Sequence, residues 1–540
     1  MGPEQNSDPD LKAAMDQARS HLSGGRPERA EKIYRKILES DPDHPDAHGN
    51  LGFALHAQGR LDEAVDSYSR AVALKSGWAG LHYNLGAALR QLGRLEEAVA
   101  SHQAALAADP ANGDAQTSLA GVFKDLGRFD EAAASFNLAL EIDPVSALTH
   151  YNFANLLKGM GRLEEAIDRY GSALGIDGDF HQAHSNLGLA LQEAGRLGEA
   201  AASYRSALDL EPGSAEVHYN LGTVCKDQDK LDEAVACYQS SLALKSDFLD
   251  AHINLGNALQ HLGQLDEAMA SYRAALEIDP ASFEAGSNLL YVMLNVPGLT
   301  PEQLFDEHRR ILADQLQGIA PIAEPFTNDQ TAGRKLRIGY LTSDFRIHPV
   351  GSMILSLFEF HDRAKFEIFC YAQVTNPDAM TEQFRAGADH WHVVVGMGDA
   401  ELAQLMRRHG IDLLVSLAGL TDDNRPLVCA HRAAPVQVSY LDGKSSALDE
   451  MDYWLSDGFL HPLDTTEKFT ETIYRLPHFL QWPPPGDAPP VAGLPADKSG
   501  TISFGSFNNP AKVTTKAIDL WAEILNSVAG SRLVFKYKGL

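Results

Sequence analysis

The sequence predicts a helical solenoid followed by a parallel α/β lobe. Three observations carry this: a 34-residue period, the end of that period near residue 310, and short β-rich runs alternating with helical stretches from Lys335 onward. The period is explicit. "NLGFALHAQGRLDEAVDSYSRAVAL" from Asn50 returns as "NLGAALRQLGRLEEAVASHQAALAA" from Asn84. Asn stands at 50, 84, 152, 186, 220, 254 and 288, with Ser118 in the gap, and Ala recurs at 30, 64, 98, 132, 166, 200, 234 and 268. Pro42, Pro110, Pro144, Pro212 and Pro280 keep the same step.

This register is that of the tetratricopeptide repeat, two antiparallel helices per unit with a small residue at their crossing and Pro where the second helix ends. Apolar residues at i, i+3, i+4 and i+7 give each helix one buried stripe. A single hairpin cannot cover that stripe, so the units must stack. In the first unit Asp16 and Gln17 replace the Asn-Leu pair, as a water-facing cap requires. After Asn288, the segment "TPEQLFDEHRRILADQL" has lost the repeat signature and reads as an adaptor, and "GIAPIAEPFTNDQTAGRK" reads as a linker.

The repeated Asn has two readings. An amide offers both a donor and an acceptor, so a row of them on the first helices can hold the backbone of an extended peptide whatever its side chains. Alternatively each Asn bonds a neighbouring helix and holds nothing else. Asn50, Asn84, Asn152, Asn186, Asn220, Asn254 and Asn288 are the candidate peptide-binding residues.

In the second half, "LRIGYLTSD", "FEIFCYAQV", "DLLVSLAG" and "VQVSYLDG" read as strands separated by helices, hence a parallel, doubly wound sheet. Ligands of such sheets sit at the C-terminal strand ends, where Ser343, Asp344 and His348 follow one strand and Thr421 and Asn424 another. A further strand, loop, helix and strand opens at "TISFGSFNN". The organisation expected is therefore a disordered lead of residues 1–9, a repeat superhelix of eight to nine hairpins over 10–314, and a linker over 315–334. A Rossmann-like lobe follows over 335–480, then a Pro-rich linker over 481–500 and the beginning of a second lobe over 501–540.

Composition narrows the class. With 45 Lys and Arg against 73 Asp and Glu, the 540-residue chain carries a net charge of -28, which argues against nucleic acid as a partner. Cys225, Cys237, Cys370 and Cys429 are scattered without CxxC spacing, so neither a disulfide framework nor a zinc site is indicated. The start lacks a basic and apolar leader, and no apolar run is long enough to span a bilayer, so the expected location is the cytoplasm.

The repeats together with "LRIGYLTSDFRIHPV", "KFEIFCYA", "RAAPVQVSYL", "MDYWLSD" and "FGSFNNPAKVTTKAIDLWAEIL" resemble the O-linked N-acetylglucosamine transferases and the related SPINDLY and bacterial proteins. The resemblance implies a glycosyltransferase of the GT-B type. It would transfer a sugar with inversion to Ser or Thr of a protein held by the repeats, between two Rossmann-like lobes and without a metal or other cofactor. It implies UDP-GlcNAc as the nucleotide sugar, His348 as the active-site histidine, and Thr421, Asn509 and Lys512 as donor-binding residues, with Lys512 on the diphosphate.

Histidine suits that role because it titrates near neutrality. A lysine ahead of a helix N-terminus suits an anion because a fixed cation and the helix dipole add. The sequence also departs from the family. Asp442 stands where a glycine-rich loop begins, Leu420 replaces a histidine, and only about forty residues follow Gly500, fewer than a lobe of several βα units of ~30 residues needs, so the chain reads as C-terminally truncated. The other function compatible with these departures is a non-catalytic repeat scaffold carrying a degenerate transferase lobe.

Overall fold

The computed structural model describes residues 9–419, 424–478, 493–506, 513 and 515–535. The chain divides into two compact units, residues 1–228 and 229–540. Residues 1–8 of the expected disordered lead and most of the Pro-rich linker lie outside the described residues, while Pro9, the last residue of that lead, already opens the first helix.

The first unit consists of helix hairpins from Pro9–Ser23 to Ala215–Asp227. The hairpin of Pro45–Ala57 and Leu61–Leu74 shows how a unit folds. Leu51, Ala54 and Leu55 face Ala64, Tyr68 and Ala71, all at most 5 % exposed. Gly59 stops the first helix at φ 75°, a left-handed conformation in which a side chain is strained, and the Arg60 N–H reaches back to the Leu55 carbonyl at 3.0 Å. Arg60 then donates to Glu63 at 2.7 Å in the first turn of the second helix. One aromatic position repeats through the core as Tyr34, Tyr68, His102, Phe136, Tyr170 and Tyr204, each buried. At Gly188 a Cβ would lie 2.7 Å from the Tyr204 ring, so this crossing admits no side chain without movement.

The second unit begins with more hairpins and ends in the α/β lobe. Its last hairpin pairs Phe283–Met293 with Pro301–Gln315, the adaptor, whose start is set by Pro301 and a capping box between Thr300 and Gln303. The adaptor has lost the repeat pattern because it serves two cores. Ile311 and Gln315 crowd Gly286, while Leu312 joins the core of the sheet.

That sheet has seven parallel strands in the order β3-β2-β1-β4-β5-β6-β7. They are β1 (Leu336–Thr342), β2 (Phe366–Ala372), β3 (His390–Val393), β4 (Leu413–Leu417), β5 (Val436–Tyr440), β6 (Tyr453–Asp457) and β7 (Thr472–Leu476). Central strands end in unbroken buried runs, as a sheet covered on both faces demands. One core lies around Leu341, Phe369 and Leu414, the other around Tyr340, Phe345 and Phe358. A separate parallel pair, β8 (Ser503–Ser506) and β9 (Arg532–Phe535), is joined by the helix Thr515–Ser527.

The stretch read as a linker over 315–334 is not a loose tether. Ile319 and Ile322 pack on the sheet core, the Arg407 guanidinium lies 3.6 Å from the centre of the Phe326 ring, and Asn328 Nδ2 donates to Gly410, Ile411 and Asp412 within 3.1 Å. It looks like a linker in sequence because a strap follows the surface beneath it and has no period of its own. Among the described residues no helix is long and apolar enough to cross a membrane.

Candidate active site

The order of the strands creates the site. From β1 the chain turns to β2 and β3, whereas β4 leads the other way to β5, β6 and β7, so the loops part at the C-terminal ends of the adjacent strands β1 and β4. Crevices at such switch points are where doubly wound sheets bind ligands.

Thr342, Ser343, Asp344 and Asn424 converge there, each at most 3 % exposed. Asn424 Oδ1 accepts from Thr342 Oγ1 at 3.0 Å and from the Ser343 N–H at 2.8 Å, and Asn424 Nδ2 donates to Asp344 Oδ2 at 3.3 Å. The Asp344 N–H donates to Thr342 Oγ1 at 3.0 Å. A network this buried holds its members in one arrangement, because breaking any bond strands a polar atom away from water.

His348 stands above this network at the N-cap of the helix Pro349–Phe360. Its Nδ1 lies 3.1 Å from Asp344 Oδ1 and 3.4 Å from the Val350 N–H. Nδ1 thus faces a carboxylate oxygen and an N–H at once; the tautomer that the Asp344 carboxylate favours, with the ring proton on Nδ1, is the one that leaves Nε2 as a base on a half-buried ring. The loop is fixed from the side as well: the Ile347 N–H donates to Asp378 Oδ2 at 2.6 Å, a bond that holds the Asp378 carboxyl below its usual range. Gly351 lets the helix start against this loop, since a Cβ there would lie 2.6 Å from the Asp344 carbonyl.

The neighbouring strand ends are strained. Ala418 after β4 and Leu441 after β5 take φ of 56° and 60°, conformations that non-glycine residues hold at a cost of ~1–3 kcal/mol and that cluster at functional sites. Asp442, the departure at the glycine-rich loop, folds back on Gly419, where a Cβ would collide with its carboxylate.

Of the residues expected to act, His348 is in the crevice. Thr421, Asn509 and Lys512 lie outside the described residues, as does Leu420. The orienting partners Asp344 and Asn424 were legible only as polar residues at strand ends. Their pairing spans 80 residues and follows from β1 lying beside β4.

The seven Asn of the repeats are half-buried on their first helices. At Asn186 both amide hydrogens are engaged, donating to Tyr151 Oη at 3.0 Å and Asn155 Oδ1 at 2.9 Å, and Oδ1 is left as its remaining acceptor. Asn288 likewise donates to Asn257 Oδ1 at 3.1 Å. Tyr170 and Tyr272 donate to the same acceptors, Asn155 and Asn257, at 2.6 and 2.7 Å. Asn186 nevertheless borders a cavity of about 240 Å³ with Tyr151, His181 and Glu211.

Comparison with known proteins agrees with this architecture. The family described as "Glycosyl transferase family 41" matches residues 300–481, and tetratricopeptide repeat families match 15–77, 82–147, 151–215 and 249–282. Two curated proteins named probable UDP-N-acetylglucosamine–peptide N-acetylglucosaminyltransferase SPINDLY, from Oryza sativa subsp. japonica and Arabidopsis thaliana, are 35 % and 36 % identical over 267 residues. Those alignments cover 48 % of this chain and 29 % of each relative, so the chain matches less than a third of their length. The solved structure of a Thermobaculum terrenum O-GlcNAc transferase variant is 31 % identical, with a TM-score of 0.57, over 66 % of this chain and 68 % of that one. The chain therefore belongs to the O-GlcNAc transferase and SPINDLY-like family, with its tetratricopeptide repeats and its parallel α/β lobe of glycosyl transferase family 41.

Proposed function

We propose that this protein is a protein O-glycosyltransferase that moves a sugar from a nucleotide sugar, GlcNAc from UDP-GlcNAc, to Ser or Thr of proteins held by its repeats. The observation that carries the reading is His348 fixed by the buried Asp344 carboxylate at the switch-point crevice. In the transfer the bond from the anomeric carbon to the diphosphate breaks and a bond to the acceptor Oγ forms. The hydroxyl proton passes to His348 Nε2, and Asp344 stabilises the imidazolium that results. Family membership supports Thr421, Asn509 and Lys512 as the donor-holding residues, transfer without a metal, and a cytoplasmic site of action. The Asn side chains are proposed to hold acceptor backbone, through Oδ1 in the case of Asn186, whose amide hydrogens are engaged within the protein.

The reading is tested by calorimetry with UDP-GlcNAc and GDP-fucose, on the 540-residue chain and on any longer form the gene encodes. Saturable binding of UDP-GlcNAc in preference to GDP-fucose is expected. If neither nucleotide binds either form, the protein is a repeat scaffold, the alternative that the Asp442 carboxylate in place of a glycine favours.

A further inference from the structure

The adaptor helix Pro301–Gln315, the end of Phe283–Met293 and the loop after β5 enclose a cavity of about 300 Å³. Leu294, Leu299, Leu304 and Phe305 give it an apolar lining, and Lys444 enters it from the loop. None of Thr342, Asp344, His348 and Asn424 borders it.

Lys444 Nζ is shut off from solvent and has no hydrogen-bond partner among the described residues. An ammonium carries three donors, and leaving them all dehydrated and unpaired is strongly unfavourable. The surrounding charged groups make no hydrogen bond to it, although the Asp442 carboxylate lies near enough to favour its charged form. His308, 3 % exposed on the adaptor, bonds the Ser445 backbone and is held neutral by burial. Arg309 donates to the Ala447 carbonyl and to Asp449, both at 2.8 Å. Glu471 accepts from Ser445 Oγ at 2.6 Å and from the Ser446 N–H at 2.7 Å, and Asp442 accepts from the Gly443 N–H at 3.2 Å. Glu467 faces His461 at 3.5 Å, and Lys468, beside it on the rim, is a second cation. The cavity thus sets an apolar wall against one buried amine that has no hydrogen-bond partner among the described residues and is favoured in its charged form by the nearby Asp442 carboxylate.

We propose that this cavity binds a small monocarboxylate with an apolar body, its carboxylate on the Lys444 ammonium and its hydrocarbon between Leu294, Leu304 and Phe305. A single negative charge matches the single interior cation, while the Glu467 carboxylate at the rim opposes a dianion such as phosphate. The loop also joins this chamber to the crevice. Asp442 lies against Gly419, and Gly443 lies beside Leu294, where a Cβ would be 3.4 Å from its Cδ1.

Titration calorimetry of the 540-residue chain with hexanoate, hexanol and inorganic phosphate tests the proposal. Saturable hexanoate binding is expected, with no phosphate binding. Burial pushes the Lys444 amine down to about 7, so hexanoate bound at pH 8.5 recharges it and draws a proton from the buffer. The heat then differs between two buffers of unlike ionisation enthalpy, an effect absent with hexanol. Lys444→Met should weaken hexanoate at least tenfold and leave hexanol unchanged. Equal hexanoate affinity in that variant, no proton uptake in the wild type, phosphate binding tighter than hexanoate, or no saturation at all would overturn the assignment.

Discussion

The repeats of the first unit and the crevice at the ends of β1 and β4 are built on opposite principles. In the repeats each device recurs: Tyr34, Tyr68, Tyr170 and Tyr204 fill equivalent places, and Gly59, Gly93, Gly127, Gly161 and Gly195 turn the chain at φ of 73–75°. In the crevice each device occurs once, and one side chain, Asn424, bonds Thr342, Ser343 and Asp344 together. Stability in a stack is close to a sum over neighbours, so one altered unit weakens the array by a local increment. A network of single members has no such redundancy.

The largest effect expected from this contrast is on turnover. Asp344→Asn keeps the shape of the network but removes the charge that orients His348, and turnover should fall by roughly 10²-fold or more while donor affinity is kept. Paired measurements of kcat and KM check this, and a change in KM alone would assign Asp344 a binding role instead. Asn424→Ala should destabilise the α/β lobe by ~2–3 kcal/mol, since it strands buried partners on both sides. Denaturant unfolding followed through the lobe would show it.

A repeat departing from its own consensus should respond in the other direction. His102 occupies the recurring aromatic place with both ring nitrogens buried and unpartnered among the described residues. His102→Phe, which copies Phe136, should stabilise the first unit by ~1 kcal/mol. Burial pushes the His102 pKa down to about 4, so between 6.5 and 4 the unfolded chain binds more protons than the folded one. Stability from this group is therefore present above pH 6.5 and lost as pH falls toward 4. Melting curves at pH 7 and pH 5 should diverge in the wild type and less so in the variant. The smallest effect is at Asp229, which holds φ 62° where the other turns have glycine, and Asp229→Gly should add ~0.5–1 kcal/mol in the same melting assay.

This contrast also governs what could be read from sequence. The repeats are legible because every contact leaves its residue again 34 positions later. Strands β1, β2, β4 and β5 are legible because each has an unbroken buried run, whereas β3 (HWHV), β6 (YWLSD) and β7 (TIYRL) have no two consecutive buried residues and mix polar with apolar side chains. In the crevice Asp344, His348 and Asn424 stand out as polar residues at strand ends. That Asn424 bonds Asp344 depends on strand order, which no local pattern encodes. Lys444 reads in sequence as part of a divergent loop, and its burial becomes visible only once the adaptor helix lies over it.

The proposed transfer depends on His348 acting as the base at this crevice. The most direct measurement is turnover of His348→Ala in an active form of the protein, taken beside its affinity for an acceptor peptide. Turnover lowered by ~10²–10⁴-fold with peptide affinity unchanged is the predicted result, and turnover at the wild-type level would contradict it.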